Sequence, residues 1–370
     1  MRERTIIYVL TIALIGTIIG FSAGLFIVSQ PETPIRLSGA GATFPAPLYQ
    51  KWSLEFNSLT GIQVDYEGIG SGGGITQHTA KTVDFAATDP PMKTSEWLAA
   101  PNTLQLPMTI GSVVVAYNLP GISEPLNLTG TVIAQIFARW ITQWNNNALQ
   151  ALNPGITLPN QPITVVHRSD SSGTTAVFTS FLSDESAMWN STYGASKTIN
   201  WDPDTTGQKG NPGVAYYLQS NSYSIGYIEL AYAIESDIDY ALIKNADGVY
   251  SLASLATIAA AADYASTTLP AGDENWEPVG SYFALGLSCG DAYPISSFSY
   301  MLVYKELNVI PGMTLTKARA LTNWLWWCTH QAQSYAPALH YVEIPATVIA
   351  INEASLRSIT YNGAIVNTWE

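Results

Sequence analysis

The chain has 370 residues, of which 47% are hydrophobic and only 12% are charged, and its formal net charge at pH 7 is −13. The hydrophobic fraction is sufficient for a sizeable core, and the length allows two packed lobes in addition to an N-terminal segment. Nucleic-acid binding is excluded as a main function, because its affinity comes largely from Lys and Arg and this chain has only 15 of them. An anionic ligand would therefore need a local site that acts against the charge of the whole protein.

The first 28 residues differ from the rest of the chain. Residues 6–28 carry no charge, and at about 1.5 Å per residue a helix of these 23 residues would span the roughly 30 Å apolar core of a bilayer. Arg2 and Arg4 favour a cytoplasmic N-terminus. We expect residues 1–28 to be either an uncleaved membrane anchor or a cleaved signal peptide, followed by a linker at 29–36.

Beyond the linker, strand-like and helix-like stretches alternate with Gly or Pro turns between them, which predicts an α/β fold. In the first predicted helix, Leu48, Trp52 and Phe56 recur at four-residue spacing. The predicted helices are 44–57, about 74–81, one with the apolar face Val132, Ile133, Ile136, Phe137 and Trp140, one from 173 that buries Val177, Phe178, Phe181 and Leu182, and 316–331. The predicted strands are 62–66, 110–117, 163–167 and 299–304.

The apolar strands that begin near residues 110 and 296 suggest two chain crossings between two lobes. An irregular tract at about 263–280 is the candidate return from one lobe to the other. The predicted division is 37–110 for the first part of lobe 1, 111–287 for lobe 2 and 288–370 for the second part of lobe 1.

Three segments share one design, in which a strand is followed by a turn rich in Gly, Ser or Thr and then by the start of a helix. They are residues 39–45, 68–74 and 168–174. A helix start leaves several N–H groups unpaired and carries the positive end of the macrodipole, while glycines let an anion approach the backbone. Three such turns that converge would bind an oxyanion mostly with neutral dipoles. Each turn taken alone is more often only a helix cap.

Three charged residues accompany these turns. The planar guanidinium of Arg168 suits phosphate oxygens, and Asp170 can hold it in place, although a surface ion pair worth about 0–1 kcal/mol is the alternative. A carboxylate such as Asp89 repels an anion unless the anion carries a proton for it to accept, which phosphate does at ordinary pH and sulfate does not. The alternative interpretation is that Asp89 caps a helix beginning at Pro90.

Other functional classes find less support in the sequence. Residues 68–74 satisfy the G-x-G-x-x-G pattern, but the acidic residue expected about 20 positions later has only Asp84 and Asp89 as candidates. We find no nucleophile-elbow motif and no metal-ligand spacing, and we therefore predict no enzymatic activity, no cofactor and no metal site.

Cys289 and Cys328 could form a disulfide, or Cys328 could be a buried free thiol. Glycosylation acceptor patterns occur at 127–129 and 190–192.

Taken together, the motifs resemble the phosphate-binding proteins of ABC-type phosphate importers. The matching segments follow the family order from LSGAGATFPAP at 37–47 through YEGIGSGGG at 66–74, VDFAATD at 83–89, VVHRSDSSGT at 165–174, GNPGV at 210–214 and SIGYIE at 224–229 to YVEIP at 341–345. The sequence departs from the family pattern at Gly72, where a second Ser is common, and at Ser171, where Gly is common. These departures put the geometry of the turns in doubt more than the identity of the ligand.

The resemblance implies a two-lobed periplasmic-binding-protein-like fold of type II, with inorganic phosphate as ligand and an ABC permease with its ATPase subunits as partner. It implies that the following residues bind phosphate: Thr43, Phe44, Ser71, Asp89, Arg168, Asp170, Ser172, Gly173 and Thr174. With the N-terminal segment, the expected place is the extracytoplasmic face of the cell membrane, or the exterior if the segment is cleaved. The alternatives are a receptor for another tetrahedral oxyanion, a secreted phosphatase-like protein or a structural surface protein.

Overall fold

A computed structural model describes residues 34–265, 269–283, 286 and 288–366 of the chain. The predicted anchor or signal at residues 1–28 and most of the predicted linker lie outside these residues. Within the part of the chain that is described, no helix is long and apolar enough to cross a bilayer.

Helices and strands alternate along the chain, which confirms the predicted α/β class. The helices are α1 (Ala46–Thr60), α2 (Ser71–Thr79), α3 (Thr94–Ala99), α4 (Gly130–Phe137), α5 (Asn147–Leu152), α6 (Gly173–Glu185), α7 (Ala187–Thr192), α8 (Gly210–Ser220), α9 (Leu230–Glu235), α10 (Leu255–Ala265), α11 (Leu315–Thr329) and α12 (Ala346–Arg357). The strands are β1 (Arg36–Gly41), β2 (Gln63–Gly68), β3 (Phe85–Thr88), β4 (Thr103–Asn118), β5 (Asn127–Leu128), β6 (Thr164–Arg168), β7 (Thr206–Gln208), β8 (Ser224–Glu229), β9 (Asp239–Tyr240), β10 (Leu242–Lys244), β11 (Tyr250–Ser251), β12 (Ser296–Tyr304), β13 (Thr360–Tyr361) and β14 (Ala364–Ile365).

A mixed sheet joins the main strands in the order β2-β1-β3-β12-β4-β8-β6-β7. Strand β1 is parallel to β2 and β3, and β6 is parallel to β7 and β8. Strand β12 is antiparallel to both β3 and β4, and β8 is antiparallel to β4. The helices that follow the parallel strands therefore begin at their carboxyl ends, which is where ligands bind in open α/β sheets.

The long strand β4 connects two halves of this sheet. Its residues Thr103–Ser112 pair with β12, and its residues Val113–Asn118 pair with β8. We call β1–β3, β12 and the N-terminal part of β4, with their helices, the first half, and the C-terminal part of β4 with β6–β8 and their helices the second half. The two-lobed α/β architecture is thus confirmed, whereas the lobe boundaries given above stay predictions.

Helix α1 shows how local sequence positions the turn at 39–45. Pro45 stands at the N-cap, and Gly61 ends the helix in the left-handed conformation with φ 75°. Leu48 and Trp52 are fully buried, and the Trp52 indole donates a hydrogen bond to the Ala332 carbonyl at 2.8 Å. This packing anchors the turn that precedes α1.

Three features differ from the predictions or decide between them. Helix α2 begins at Ser71, about three residues earlier than predicted, so the glycine run forms its first turn. Trp140 is 64% exposed and does not belong to the buried face of α4, because Arg139 adopts φ 62° just after the helix ends. Cys289 and Cys328 are both free, and Cys328 is a buried thiol, so the disulfide alternative is wrong.

The two glycosylation patterns lie in different surroundings. Asn190 is exposed in α7, whereas the Asn127 amide nitrogen donates to the Leu152 carbonyl at 3.4 Å. Glycosylation at either position stays a prediction.

Candidate functional site

The starts of helices α2 and α6 meet between the two halves of the sheet. The backbone N–H of Gly72 in α2 donates to the carbonyl of Ser171, just before α6, at 3.0 Å. Ser172 is the N-cap of α6, and its hydroxyl accepts from Thr175 N at 3.1 Å. The two predicted turns at 68–74 and 168–174 are therefore in direct contact.

Glycine is required where these helix starts approach each other. A Cβ atom on Gly173 would lie 2.2 Å from Ser71 Oγ and 2.4 Å from Asp89 Oδ2. Gly70 combines φ 89° with a position where a Cβ would lie 2.4 Å from Asp170 Oδ2. A Cβ atom at either position would displace these neighbouring atoms.

Arg168 and Asp170 form a buried, bidentate ion pair. Arg168 Nε donates to Asp170 Oδ1 at 2.8 Å and Nη2 donates to Oδ2 at 2.6 Å, while Nη1 donates to Thr174 Oγ1 at 3.2 Å. The Arg168 side chain is 1% exposed, so the interpretation as a surface ion pair is wrong. Burial acts to raise the pKa of Asp170, but the hydrogen bonds and charge of Arg168 outweigh it and the pKa lies below its ordinary value.

Asp89 lies fully buried between hydroxyl groups. Its Oδ2 accepts from Ser71 Oγ at 3.4 Å and its Oδ1 from Ser299 Oγ at 3.2 Å. Burial raises the pKa of Asp89 to about 7, although the charge of Arg168 and the hydrogen bonds from both serines act to lower it. The next helix, α3, has Lys93 at its N-cap, so Asp89 does not cap a helix beginning at Pro90.

Asn211 joins the turn at 39–45 to the turn at 168–174 and was not identified from the sequence. Its backbone N–H and its Nδ2 both donate to Thr43 Oγ1 at 3.1 Å, and Nδ2 also donates to Thr174 Oγ1 at 3.2 Å. The only available signal was its place in the GNPGV motif at 210–214. Asn211 thus holds hydroxyl groups from the two halves side by side.

The remaining predicted residue, Phe44, is fully buried, and its carbonyl accepts from the Tyr341 hydroxyl at 2.7 Å. The structure brings the predicted site residues into one region at the carboxyl ends of the parallel strands. Those residues are Thr43, Phe44, Ser71, Asp89, Arg168, Asp170, Ser172, Gly173 and Thr174. A surface groove of about 600 Å³ lies between α1 and β2 and is lined by none of them.

Glu229 is a second buried carboxyl group that sequence reasoning did not assign. Its Oε2 accepts from Ala231 N at 2.8 Å and from the Tyr341 hydroxyl at 3.1 Å, whereas its buried Oε1 has no hydrogen-bond partner. Burial raises the pKa of Glu229 well above its ordinary value. Because Glu229 ends β8 and Tyr341 follows α11, the bond connects the two halves close to Phe44.

The electrostatics of the site come mainly from neutral dipoles. Arg168 supplies one positive charge that Asp170 offsets, and the surrounding groups are hydroxyls, amides, helix starts and the Asp89 carboxyl group. Among the described residues, no group of three or more His, Cys, Asp and Glu side chains is placed to hold a metal ion. Such an arrangement is suited to hold a small oxyanion without an excess of positive charge.

Comparisons with known proteins identify relatives of this chain. A family model described as a PBP superfamily domain matches residues 28–331. The phosphate-binding protein PstS of Pasteurella multocida is 41% identical over 326 residues, covering 87% of this chain and 89% of that protein. The phosphate-binding protein PstS of Xylella fastidiosa (strain Temecula1) is 38% identical over 330 residues, covering 88% of this chain and 86% of that protein.

A solved structure shares the fold at lower sequence identity. It is a high affinity periplasmic phosphate-binding protein, PfluDING, bound with phosphate at pH 8.5. The TM-score is 0.68 with 21% identity, over 86% of this chain and 93% of that one. The two chains therefore share the two-lobed fold over the region that contains the site.

Proposed function

Because this chain belongs to the family of phosphate-binding proteins within the PBP superfamily, we propose that it captures inorganic phosphate outside the cytoplasm and delivers it to an ABC importer. The observation that carries the proposal is the meeting of two helix starts, from different halves of the sheet, around Arg168 and Asp89. Helix starts and a guanidinium attract an oxyanion. A buried carboxylate repels the oxyanion unless the two groups share a proton.

The hydroxyl groups of Thr43 and Thr174 are arranged as donors to this ligand. Thr43 Oγ1 accepts two hydrogen bonds from Asn211, and Thr174 Oγ1 accepts one from Asn211 and one from Arg168. A hydroxyl whose oxygen accepts two bonds still has its own proton to donate. We infer that both protons point to phosphate oxygens, together with N–H groups of the turns at Phe44, Ser71 and Gly173.

Asp89 gives the site its selectivity. As a carboxylate it accepts the proton of phosphate, whereas fully ionised sulfate presents only acceptors to it. Since burial raises the pKa of Asp89 to about 7, this carboxyl group and phosphate exchange a single proton close to neutral pH. Ser71 and Ser299 each donate one hydrogen bond to a different carboxylate oxygen of Asp89. Each of these oxygens can still accept a hydrogen bond from a ligand proton.

Arg168, with Asp170, supplies the one full charge directed at the ligand. Asp170 fixes the plane of the guanidinium and reduces its net charge, so binding relies on several charge-assisted hydrogen bonds of about 1.5–3 kcal/mol each. Ser172 and Thr174 complete the start of α6 around the anion. After the free-energy cost of closing the two lobes, we expect a micromolar or tighter dissociation constant for phosphate. This corresponds to a favourable binding free energy of about 8 kcal/mol or more.

The N-terminal sequence and the family support a proposal for the place of the protein in the cell. We propose that residues 1–28 anchor the chain at the extracytoplasmic face of the membrane, or release it if they are cleaved. The ligand-bound form then docks on the permease of the importer, whose ATPase subunits drive transport. We propose a binding role without catalysis, since the ring of His167, the histidine next to Arg168, stacks on Trp201 and its Nδ1 hydrogen-bonds to the Arg168 carbonyl at 3.0 Å.

Isothermal titration calorimetry of the full-length protein with phosphate, sulfate and molybdate tests the proposal. At pH 8.5, phosphate should bind with a micromolar or lower dissociation constant, and sulfate should show no measurable heat. Preference for sulfate or molybdate would instead support a receptor for another tetrahedral oxyanion. Turnover of a phosphoester by the purified protein would support an enzyme.

A further inference from the structure

An ion pair connects the two halves of the protein at the edge of the site. Lys197 Nζ lies 2.7 Å from both carboxylate oxygens of Glu96. Glu96 belongs to α3 in the first half, and Lys197 lies between α7 and β7 in the second half. None of the sequence motifs described above includes either residue.

This ion pair is largely removed from solvent. The Lys197 side chain is 8% exposed and that of Glu96 is 27% exposed, whereas Lys305 and Asp273 in another ion pair are 37% and 45% exposed. Burial lowers the pKa of Lys197, and the carboxylate of Glu96 acts in the opposite direction. Removing one partner of such a pair leaves a poorly solvated charge, and the loss exceeds that of a surface pair.

Both residues are held in position by contacts to their own half. Glu96 Oε2 accepts from Lys93 N at 2.9 Å in the first turn of α3, which fixes the carboxylate before it meets Lys197. The Lys197 carbonyl accepts from the backbone N–H of Ser172, the N-cap of α6, at 2.9 Å. Lys197 is thus tied directly to the helix start that binds the anion.

Lys197 also borders a small cavity at the junction of the two halves. This cavity of about 90 Å³ is lined by Pro90, Lys93, Lys197 and Glu277, among others. Pro90 directly follows Asp89. The pair therefore lies where the Asp89 loop of one half meets the α6 start of the other.

We propose that Lys197 and Glu96 form a latch that holds the two lobes together over the bound anion. Lys197 is then a positioning residue for phosphate retention. The inference rests on the proposed function and adds to it a determinant of ligand release. Because the pair can form only when the halves meet, its loss should speed phosphate dissociation and leave association nearly unchanged.

The test is a double-mutant cycle on the full-length protein with Lys197→Met, Glu96→Gln and the double variant. Stopped-flow kinetics should show phosphate dissociation about tenfold faster in each single variant, and the double variant should be no worse than the worse single variant. Lys197→Arg, which keeps the charge, should restore most of the wild-type rate. Additive effects, or a Lys197→Met variant that releases phosphate as slowly as wild type, would overturn the latch.

Lys317→Met is the matched control. Lys317 pairs with the buried Asp84 at 2.7 Å, but both residues lie in the first half. This variant should lower the melting temperature and leave phosphate dissociation unchanged, and a change in dissociation would mean that the rate reports general destabilisation. If the wild-type protein itself failed to bind phosphate, the proposed function would fail, whereas normal wild-type binding with unchanged Lys197 variants overturns the latch alone.

Discussion

Asp170 binds both ends of the Arg168 guanidinium edge, at 2.8 Å from Nε and 2.6 Å from Nη2, and so fixes its plane inside the protein. The remaining nitrogen, Nη1, is directed to Thr174 in the first turn of α6. The pair combines a charge for the ligand with a rigid orientation that a lysine cannot reproduce.

The first prediction concerns this orientation. Arg168→Lys keeps the positive charge but loses the planar pair with Asp170, and calorimetry should show phosphate affinity about 10- to 100-fold weaker. Arg168→Ala should abolish measurable binding and leave Asp170 buried without its partner. Wild-type affinity in Arg168→Lys would mean that charge alone is sufficient.

The second prediction concerns selectivity and pH. Because burial raises the pKa of Asp89 to about 7, the group is protonated below that pH and can then donate to sulfate. Sulfate competition against phosphate should therefore increase as the pH falls from 8.5 to 5.5. Asp89→Asn, whose amide donates at every pH, should bind sulfate with little dependence on pH. Sulfate that remains fully excluded in Asp89→Asn would contradict this account.

The third prediction concerns the close approach at the start of α6. Gly173→Ala places a methyl group against Ser71 and Asp89, so phosphate affinity should fall by about 10- to 100-fold as the helix start is displaced. Gly155→Ala serves as control, since a Cβ atom at Gly155 has no heavy atom within 4 Å. Equal affinity of the two variants would show that the contact is not needed for binding.

The fourth prediction concerns Asn211 as the link between hydroxyl donors. Asn211→Ala removes its side-chain bonds to Thr43 and Thr174, and phosphate affinity should fall by about tenfold or more. Asn221→Ala is a control at the other end of α8, where the exposed Asn221 amide donates only to the Tyr217 carbonyl. Calorimetry of both variants decides whether the effect is specific, and a loss of the same size in Asn221→Ala would contradict it.

The fifth prediction concerns the buried Glu229. Its pKa is raised by burial, so the folded protein retains a proton that the unfolded chain loses above about pH 4.5, and stability falls as the pH rises. For one such proton, the free energy of unfolding can fall by at most about 1.4 kcal/mol per pH unit. Glu229→Gln mimics the protonated form, and its stability relative to wild type should increase from pH 5 to pH 8 in urea unfolding without phosphate. Asp89 contributes a slope of the same sign in both proteins, so parallel curves would show that Glu229 is ionised in the fold.

The sequence by itself identified the elements of the site that depend on neighbouring residues. A glycine turn followed by a helix start is local chemistry, and it predicted the turns at 39–45, 68–74 and 168–174. Arg168 and Asp170 are two residues apart, so their pairing could also be predicted from the sequence. The end of α4 before Arg139 was missed, because a left-handed residue other than glycine gives a weak signal in the sequence.

Tertiary structure decided everything that joins distant parts of the chain. Asn211 reaches Thr43 across 168 positions, and Tyr341 reaches Glu229 across 112. The raised pKa of Asp89 also belongs to this class, because it comes from burial by both halves and not from neighbouring residues. The sequence of neighbouring residues determines turns and helix caps, whereas desolvation and contacts between the halves exist only after the chain has folded.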